Sequence, residues 1–164
     1  NQIKPVFIEL GLQTIHEKTA QFIRRGYELK TYDEAVSRLQ KTGVHIITHM
    51  ILGLPGETKE MMMQTAKHIG NVGSHGIKLQ LLHVLKGTDL ATFYEGGIFK
   101  TLSETEYIDA LCHCVLCLPN GTVLHRITGD APKSLLVAPM WSADKKRILQ
   151  KIREEFSRRN ILLQ

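Results

Sequence analysis

The chain of 164 residues lacks the marks of several large protein classes. Its apolar runs are shorter than the roughly 20 residues that cross a bilayer, and its first residues show no signal-peptide pattern. The three cysteines follow no obvious pairing scheme, which favours a cytoplasmic protein over a secreted one. Walker loops, Rossmann glycine patterns, nucleophile elbows and zinc-protease helices are also missing. These absences exclude the nucleotide-binding and hydrolytic sites that are easiest to read from a sequence.

Basic residues are in moderate excess. The chain has 21 Lys and Arg against 16 Asp and Glu, a formal charge of +5 and a pI near 9.2. The densest cluster lies between Lys145 and Arg159, inside the last predicted helix. Such a cluster is compatible with RNA or another anionic ligand, although a solvated helix face is the commoner reason for it. The length fits one domain.

Strand-like and helix-like segments alternate along the chain. Short apolar runs predict strands at 6–12, 44–52, 76–84 and 123–127. Helical patterns and start signals predict helices at 15–25, 31–43, 59–69, 103–118 and 143–158. We expect capping boxes at Thr31–Glu34 and Ser103–Glu106, and an N-cap at Ser142. Residues 135–139 are expected to form a loop or a helical turn. This order predicts an α/β fold with parallel strands and helices outside, either a partial (β/α) barrel or a small open sheet.

Polar side chains cluster near the carboxyl ends of the predicted strands, where parallel α/β proteins place their sites. The first strand carries Glu9 and Gln13, and the second carries His49 next to the Gly53–Gly56 loop. The later strands carry the remaining candidates, Gln80, His83, Lys86, His125 and Arg126. Any one of these residues is more often an ordinary strand-end hydrogen-bonding group, but the set predicts a site at one rim of the sheet.

Three segments resemble motifs of the radical S-adenosylmethionine (SAM) superfamily. They are Glu-Leu-Gly-Leu-Gln-Thr at 9–14, Arg-Arg-Gly at 24–26 and Ile-Leu-Gly-Leu-Pro-Gly-Glu-Thr at 51–58. The nearest branches are oxygen-independent coproporphyrinogen oxidase and the Elongator catalytic subunit. Residues 125–132 and 138–142 are similar to a less characterised bacterial group, described as radical SAM proteins or Fe–S oxidoreductases. The resemblance covers nearly the whole chain.

The resemblance implies a role for particular positions. Gln13 matches a glutamine that contacts the methionyl or ribosyl part of SAM, and Arg25 matches an arginine that pairs with its carboxylate. Arg24 is the neighbouring candidate, because only one of the two arginines can point inward. His49 matches a polar residue that reaches the ribose, and Ile51 flanks the adenine. The remaining candidates are Glu9 for SAM or substrate, and Gln80, His83, His125 and Arg126 for substrate.

The sequence departs from the superfamily at the cluster motif. A C-x3-C-x2-C loop holds the [4Fe–4S] cluster in that superfamily, and no such loop occurs here. Cys112, Cys114 and Cys117 lie in one predicted helix, where the first two project about 200° apart, so we expect core packing and no metal ligand. Residues 1–164 are therefore expected to be the C-terminal portion of a barrel, with 142–160 as a terminal basic helix and the cluster-binding half absent.

The implied activity belongs to the intact enzyme. Its cluster would reduce SAM to methionine and a 5′-deoxyadenosyl radical, while this portion supplies SAM and substrate contacts and is inactive alone. The partners expected are the missing half of the protein and a small-molecule or tRNA substrate, with no membrane. Two alternatives stay open: an RNA-binding module that uses the basic surface, and a cluster-free barrel enzyme with strand-end histidines as acid and base.

Overall fold

The computed structural model describes residues 4–161, so the predicted domain of 1–164 extends three residues beyond it at each end. Strands lie at β1 (Phe7–Gln13), β2 (His45–Leu52), β3 (Gly76–Leu81), β4 (Val84–Leu85), β5 (Val123–Arg126) and β6 (Leu136–Ala138). Helices lie at α1 (Glu17–Phe22), α2 (Leu29–Gln40), α3 (Lys59–Asn71), α4 (Asp89–Glu95), α5 (Glu104–Leu116) and α6 (Lys145–Arg158). A 3₁₀ turn at Met140–Ala143 precedes α6.

Four strands form one parallel sheet in the order β1-β2-β3-β5. Each strand therefore pairs with the next one of this sheet along the chain, without the reversal of order that marks a doubly wound sheet. Helices α2, α3, α5 and α6 contribute to the single main core on one face. This is the winding of a β/α barrel, and it confirms the predicted α/β fold with parallel strands and outer helices.

The two faces of the sheet differ in chemistry. On the helix-covered face, Ile46 and Met50 of β2 and Ile77 and Leu79 of β3 are fully buried in the main core. Burying each such side chain contributes about 1.5–3 kcal/mol. His49 and Ile51 of β2 and Lys78 and Gln80 of β3 point to the opposite face and stay partly exposed. The sheet thus presents a polar, accessible face that the helices leave open.

A second, smaller core lies beyond the carboxyl ends of β2 and β3. The short strands β4 and β6 pair in antiparallel fashion, and α4 packs beside them. Leu54, Leu82, Val84, Phe99 and Ala138 form its buried centre. This corner closes one side of the cavity described below.

Several predicted boundaries were wrong, for identifiable reasons. The predicted strand 76–84 divides after Leu81, because 84–85 pairs with β6, which had been predicted as a loop or turn. The final helix is capped by Asp144, whose carboxylate accepts from the Arg147 amide, and not by Ser142, whose hydroxyl donates to Pro139. The capping box at Ser103–Glu106 is confirmed.

Helices α1 and α2 also differ from the prediction. Helix α1 ends at Phe22 and not near Arg25, because Arg24 adopts a left-handed conformation with φ +56° and turns the chain. Helix α2 begins at Leu29, so the predicted capping box at Thr31 is wrong. The Leu29 amide donates instead to the carboxylate of Glu17, which satisfies a free donor at the helix start.

Candidate functional site

A cavity of about 720 Å³ lies at the carboxyl ends of β1 and β2, between α1 and α4. Its volume is within the roughly 300–1,000 Å³ typical of small-molecule sites. Among the predicted residues, Gln13, Arg25 and Ile51 line it, and Gly11 leaves the backbone of β1 exposed on the same wall. The lining is mainly apolar, with a few polar groups that could orient a ligand.

Gln13 is the most unusual of these groups. It is the last residue of β1, follows a bulge and has φ +67°. Its Oε1 atom is buried and has no hydrogen-bond partner among the described residues. A buried carbonyl oxygen without a donor costs about 1–3 kcal/mol, so a ligand that donates to it would be favoured. The bare Cα of Gly11 makes room for the amide, since a Cβ there would lie only 3.0 Å from Gln13 Nε2.

Arg25 holds the turn that contains Gln13. Its side chain is 2% exposed, and its guanidinium donates to the carbonyl oxygens of Thr14 at 2.6 Å and Leu12 at 3.4 Å, one on each side of Gln13. It also donates to Tyr27 O and to Glu17 Oε1. Four of the five N–H groups are therefore engaged within the protein. Arg25 is the inward-pointing arginine, and this geometry fits a positioning residue better than a partner for a ligand carboxylate.

Arg24 points the other way and spans the mouth of the cavity. Its side chain is 75% exposed and pairs with Asp89 at 2.7 Å, which joins the end of α1 to the start of α4. Phe22 and Phe93 meet beside this pair, with ring centroids 5.6 Å apart. An exposed ion pair contributes only about 0–1 kcal/mol, so a ligand carboxylate can compete for Arg24 at low cost.

A buried contact joins two of the sequence motifs. The Thr14 hydroxyl donates to Glu57 Oε1 at 2.5 Å, and Thr14 also accepts from the His16 amide. Burial raises the pKa of Glu57, and the hydrogen bond from Thr14 partly offsets that rise. The sequence motifs include Glu57, but no role was predicted for it. The contact fixes the loop after β2 against the loop after β1, which are two walls of the cavity.

The open sheet face carries a second polar group of residues. Glu9 accepts from His49 Nε2 at 2.6 Å and from Lys78 Nζ at 2.6 Å, and Gln80 Nε2 lies 3.2 Å from His49 Nδ1. The hydrogen bond from Lys78, followed by that from His49, holds the pKa of Glu9 below its usual range. His49 does not line the cavity with Gln13, so the prediction that both contact one ligand stays a prediction. Lys78 was missed, although its spacing of two residues from Gln80 places it on the same face.

The other predicted substrate residues are separated. His125 lies on the open face over Gly76, where a Cβ would come within 2.5 Å of its ring. Arg126 is exposed at the end of β5, opposite Lys78 across a bulge. His83 follows β3 and lines a different pocket with Asp130. His125 lies level with the start of β3 and His83 follows its end, so these residues do not form a single constellation.

The cysteines lie where core packing was predicted. Cys112 and Cys114 are fully buried in α5, and burial raises their pKa values to about 11 and about 12. Cys117 follows the helix and is partly exposed. Within residues 4–161, no group of three or more His, Cys, Asp or Glu side chains is arranged to hold a metal ion. The part of the chain that the structure describes therefore offers no thiolate set for an iron–sulfur cluster.

Two family models match the chain. The model of the radical SAM superfamily matches residues 2–69, and that of the radical SAM C-terminal domain matches residues 74–158. The chain belongs to the radical SAM superfamily. The walls of the cavity from β1, α1 and the end of β2 lie within the first match, whereas Leu82 and the α4 wall belong to the second, together with α5, β5 and α6.

Two relatives within this superfamily are similar to the chain over most of its length. It is 42% identical over 159 residues to the uncharacterized protein YtqA of Bacillus subtilis, covering 97% of this chain and 49% of that protein. It is 25% identical over 151 residues to the tRNA uridine(34) acetyltransferase of Methanocaldococcus jannaschii, covering 90% and 28%. The chain thus spans about half the length of YtqA and less of the acetyltransferase.

A solved structure supports the same fold. The chain superimposes on Elp3 of Methanocaldococcus infernus, a form with an N-terminal deletion, with a TM-score of 0.82 and 21% identity. The match covers 96% of this chain and 37% of that one. At this identity the likeness establishes the fold alone. None of the described helices is long and apolar enough to cross a membrane.

The superfamily implies SAM and a [4Fe–4S] cluster, and the described residues fit only the first. The cavity has the size of a nucleoside site, and the unpartnered Gln13 oxygen calls for a donor such as an amino or ribose hydroxyl group. A cluster needs converging thiolates. Cys112 and Cys114 are buried in α5, and no motif of the required spacing occurs in the sequence.

Proposed function

We propose that this chain forms the SAM-binding wall of a radical SAM enzyme, and that the cavity beside Gln13 receives SAM. The observation that carries the proposal is that Gln13 lines a cavity of about 720 Å³ and that its buried Oε1 has no hydrogen-bond partner among the described residues. A pocket of this kind gains affinity from a ligand that supplies the missing donor and fills the apolar remainder. Superfamily membership makes SAM the ligand to test first.

Each cavity residue has a distinct part in this proposal. Gln13 accepts a hydrogen bond from the amino group or the ribose, and Ile51 packs against the adenine. Arg25 holds the Gln13 turn through the flanking carbonyl oxygens. Arg24 exchanges Asp89 for the ligand carboxylate, since its guanidinium is exposed and charge-assisted pairing favours the exchange. The apolar lining excludes water from the rest of the ligand.

SAM held by Gln13 and Ile51 would supply a 5′-deoxyadenosyl radical to the substrate if it received one electron. A cluster would have to supply that electron, and the described residues provide no ligands for one. We therefore propose that this chain is the C-terminal portion of a larger oxidoreductase, whose N-terminal half holds the cluster. In this proposal, residues 142–160, which include α6, form a basic helical segment of that portion. We place the enzyme in the cytoplasm.

The substrate side is proposed to be the open sheet face. Glu9, His49, Lys78 and Gln80 form one hydrogen-bonded network there, and His125 lies on the same face. Because Glu9 balances Lys78, the network is close to neutral and suits a polar substrate, either a small molecule or a base of tRNA. The name of the archaeal acetyltransferase relative is what suggests tRNA.

The two alternative functions have less support. Five of the seven cationic residues between Lys145 and Arg159 that suggested an RNA-binding face are paired within the protein. Three of them dock the last helical segment onto α5: Arg147 and Lys151 pair with Glu104, and Arg159 pairs with Asp109. A cluster-free enzyme would use the strand-end histidines, yet His49 has both ring nitrogens engaged, by Glu9 and Gln80.

The test is SAM binding by the protein and by two matched variants. We expect Gln13→Leu to weaken binding about tenfold or more, because it removes the acceptor while keeping an apolar side chain of similar size. Gln64→Leu, on the exposed face of α3, makes the same chemical change outside the cavity. Isothermal titration calorimetry measures both. Equal affinities for the two variants would refute the assignment of Gln13.

A further inference from the structure

Two sequence segments that the SAM cavity does not use meet at a second pocket. It has a volume of about 360 Å³ and lies beyond the carboxyl ends of β3 and β5. Gly129, Asp130 and Ala131 come from the segment 125–132, and Ser142 comes from the segment 138–142. The start of α6 closes the remaining side. The fold thus brings both tail segments and His83 to one place.

The charges that line this pocket are mostly positive. Lys133, Lys145 and Lys146 line it against two carboxylates, those of Asp130 and Asp144. Lys145 binds both oxygens of Asp130, at 2.6 and 2.7 Å, and lowers its pKa. Asp144 caps α6 through the Arg147 amide, so the helix start is already satisfied. Lys133 and Lys146 are exposed and have no carboxylate partner within residues 4–161, so the pocket keeps an excess of cationic groups.

His83 supplies the inner wall. Its ring packs against the backbone of Gly129, where a Cβ would lie 2.5 Å from Cε1 and 2.8 Å from Nδ1. The ring therefore needs a glycine at this position. The ring is half-buried, and among the described residues it has no hydrogen-bond partner, although the charge of Asp130 acts on it. A ring with free nitrogens beside two unpaired lysines is suited to donate to an anion once it is protonated.

We propose that this pocket binds a phosphate ester, with Lys133, Lys146 and His83 as the groups that contact its oxygens. Lysine ammonium groups bind phosphate as point charges, and a protonated histidine adds a directed donor. The ester belongs either to a free nucleotide or to the backbone of an RNA substrate. The site is distinct from the SAM cavity, so this proposal goes beyond the proposed function and stands if the Gln13 test fails.

The first test uses sulfate, an oxyanion whose charge does not change across the pH range of interest. We expect saturable shifts of the His83 ring signals in the NMR spectrum of the protein. The double variant Lys133→Gln/Lys146→Gln should bind sulfate about tenfold more weakly, because two charge-assisted contacts are lost. The double variant Lys41→Gln/Lys67→Gln removes the same charge from exposed positions of the α2 end and α3, and should bind normally. Absence of saturable shifts, or equal weakening in both variants, would overturn the proposal.

Two further measurements make the assignment specific. Burial lowers the pKa of His83, and a bound anion raises it, so sulfate should bind more tightly as the pH falls from about 8 to about 6. The other charged groups that face the same pocket are Asp130, Asp144, Lys133, Lys145 and Lys146. His83→Gln should remove the pH dependence; if the dependence persists, His83 is not a ligand and the proposal fails.

Competition then identifies the source of the ester. A nucleoside monophosphate and a short RNA without terminal phosphates are each titrated against bound sulfate. The one that displaces sulfate at the lower concentration carries the ester that the pocket prefers. Failure of both to displace it would show that the pocket does not accept a phosphate ester.

Discussion

Arg25 offers the sharpest test of how the cavity is built. Its buried guanidinium binds the carbonyl oxygens on both sides of Gln13, together with Tyr27 O and the carboxylate of Glu17. Arg25→Lys keeps the positive charge but removes the planar fork that reaches these acceptors together. The neighbouring Arg24 provides a matched control, because Arg24→Lys makes the same change in a side chain that is 75% exposed.

The expected loss follows from the contacts. Lysine can replace at most two of the four hydrogen bonds, and each one lost from a charged donor costs about 1.5–3 kcal/mol, so we expect Arg25→Lys to lower the free energy of unfolding by at least about 3 kcal/mol. For a chain of this size that corresponds to a fall in Tm of about 6–12 °C. Arg24→Lys should change stability by less than about 1 kcal/mol, since its pair with Asp89 is exposed.

Urea unfolding followed by circular dichroism measures both variants under one condition. The slope with denaturant should stay the same, so that the shift in midpoint reports stability. SAM titration adds a functional readout, because loosening of the Gln13 turn should weaken binding in Arg25→Lys. If the two variants unfold at the same urea concentration, the guanidinium does not hold the turn and the positioning role assigned to Arg25 is wrong.

Two other predictions concern the thiols and the open face. In the native protein, Cys117 should react first with a thiol reagent near pH 8, and Cys114 should react only on unfolding. The reason is that burial raises the pKa of the Cys114 thiol to about 12. Comparable reaction rates of Cys117 and Cys114 in the native protein would contradict the burial of Cys114. Lys78→Met should raise the pKa of Glu9 toward its ordinary value, as measured by carboxyl NMR titration. The lowered pKa of Glu9 stabilises the fold at pH values above the ordinary carboxyl pKa, and this stabilisation is lost as the pH falls through the lowered pKa. The variant should therefore lose less stability in acid. An unchanged pKa of Glu9 would exclude the Lys78 contact.

The topology was predictable from local patterns. Apolar runs that alternate with amphipathic segments are typical of βαβ units, in which a crossover helix joins two parallel strands. The parallel pairing of β1, β2, β3 and β5 agrees with the predicted fold, although no strand order was predicted, and the capping box at Ser103 is also as predicted. The pairing of β4 with β6 was not predictable, because two- and three-residue strands leave no periodicity to detect.

The site was less predictable, because it depends on directions that a motif does not record. Strand ends were expected to gather all candidates at one rim, yet Glu9 and His49 lie mid-strand on the open face while Gln13 and Ile51 line the cavity. Side-chain alternation would have added Lys78, two residues from Gln80, but it does not separate Glu9 from Gln13 or His49 from Ile51, because each pair is an even number of residues apart; the position along the strand separates them. Arg25 points inward because Arg24 adopts a left-handed backbone conformation. This conformation is uncommon for residues other than glycine, so the sequence gives no signal for it.

Two of the three motifs that resemble the superfamily are linked by a physical contact. Thr14 closes the first motif and Glu57 lies in the second, and their side chains meet in a hydrogen bond although 43 residues separate them in sequence. The bond needs a hydroxyl at one position and a carboxyl at the other, while the Gln13 turn needs the bare backbone of Gly11 beside it. The contacts within this one cavity wall thus require particular residue types at positions 11, 14 and 57. This explains why short segments, far apart in the chain, identified the family when composition and charge could not.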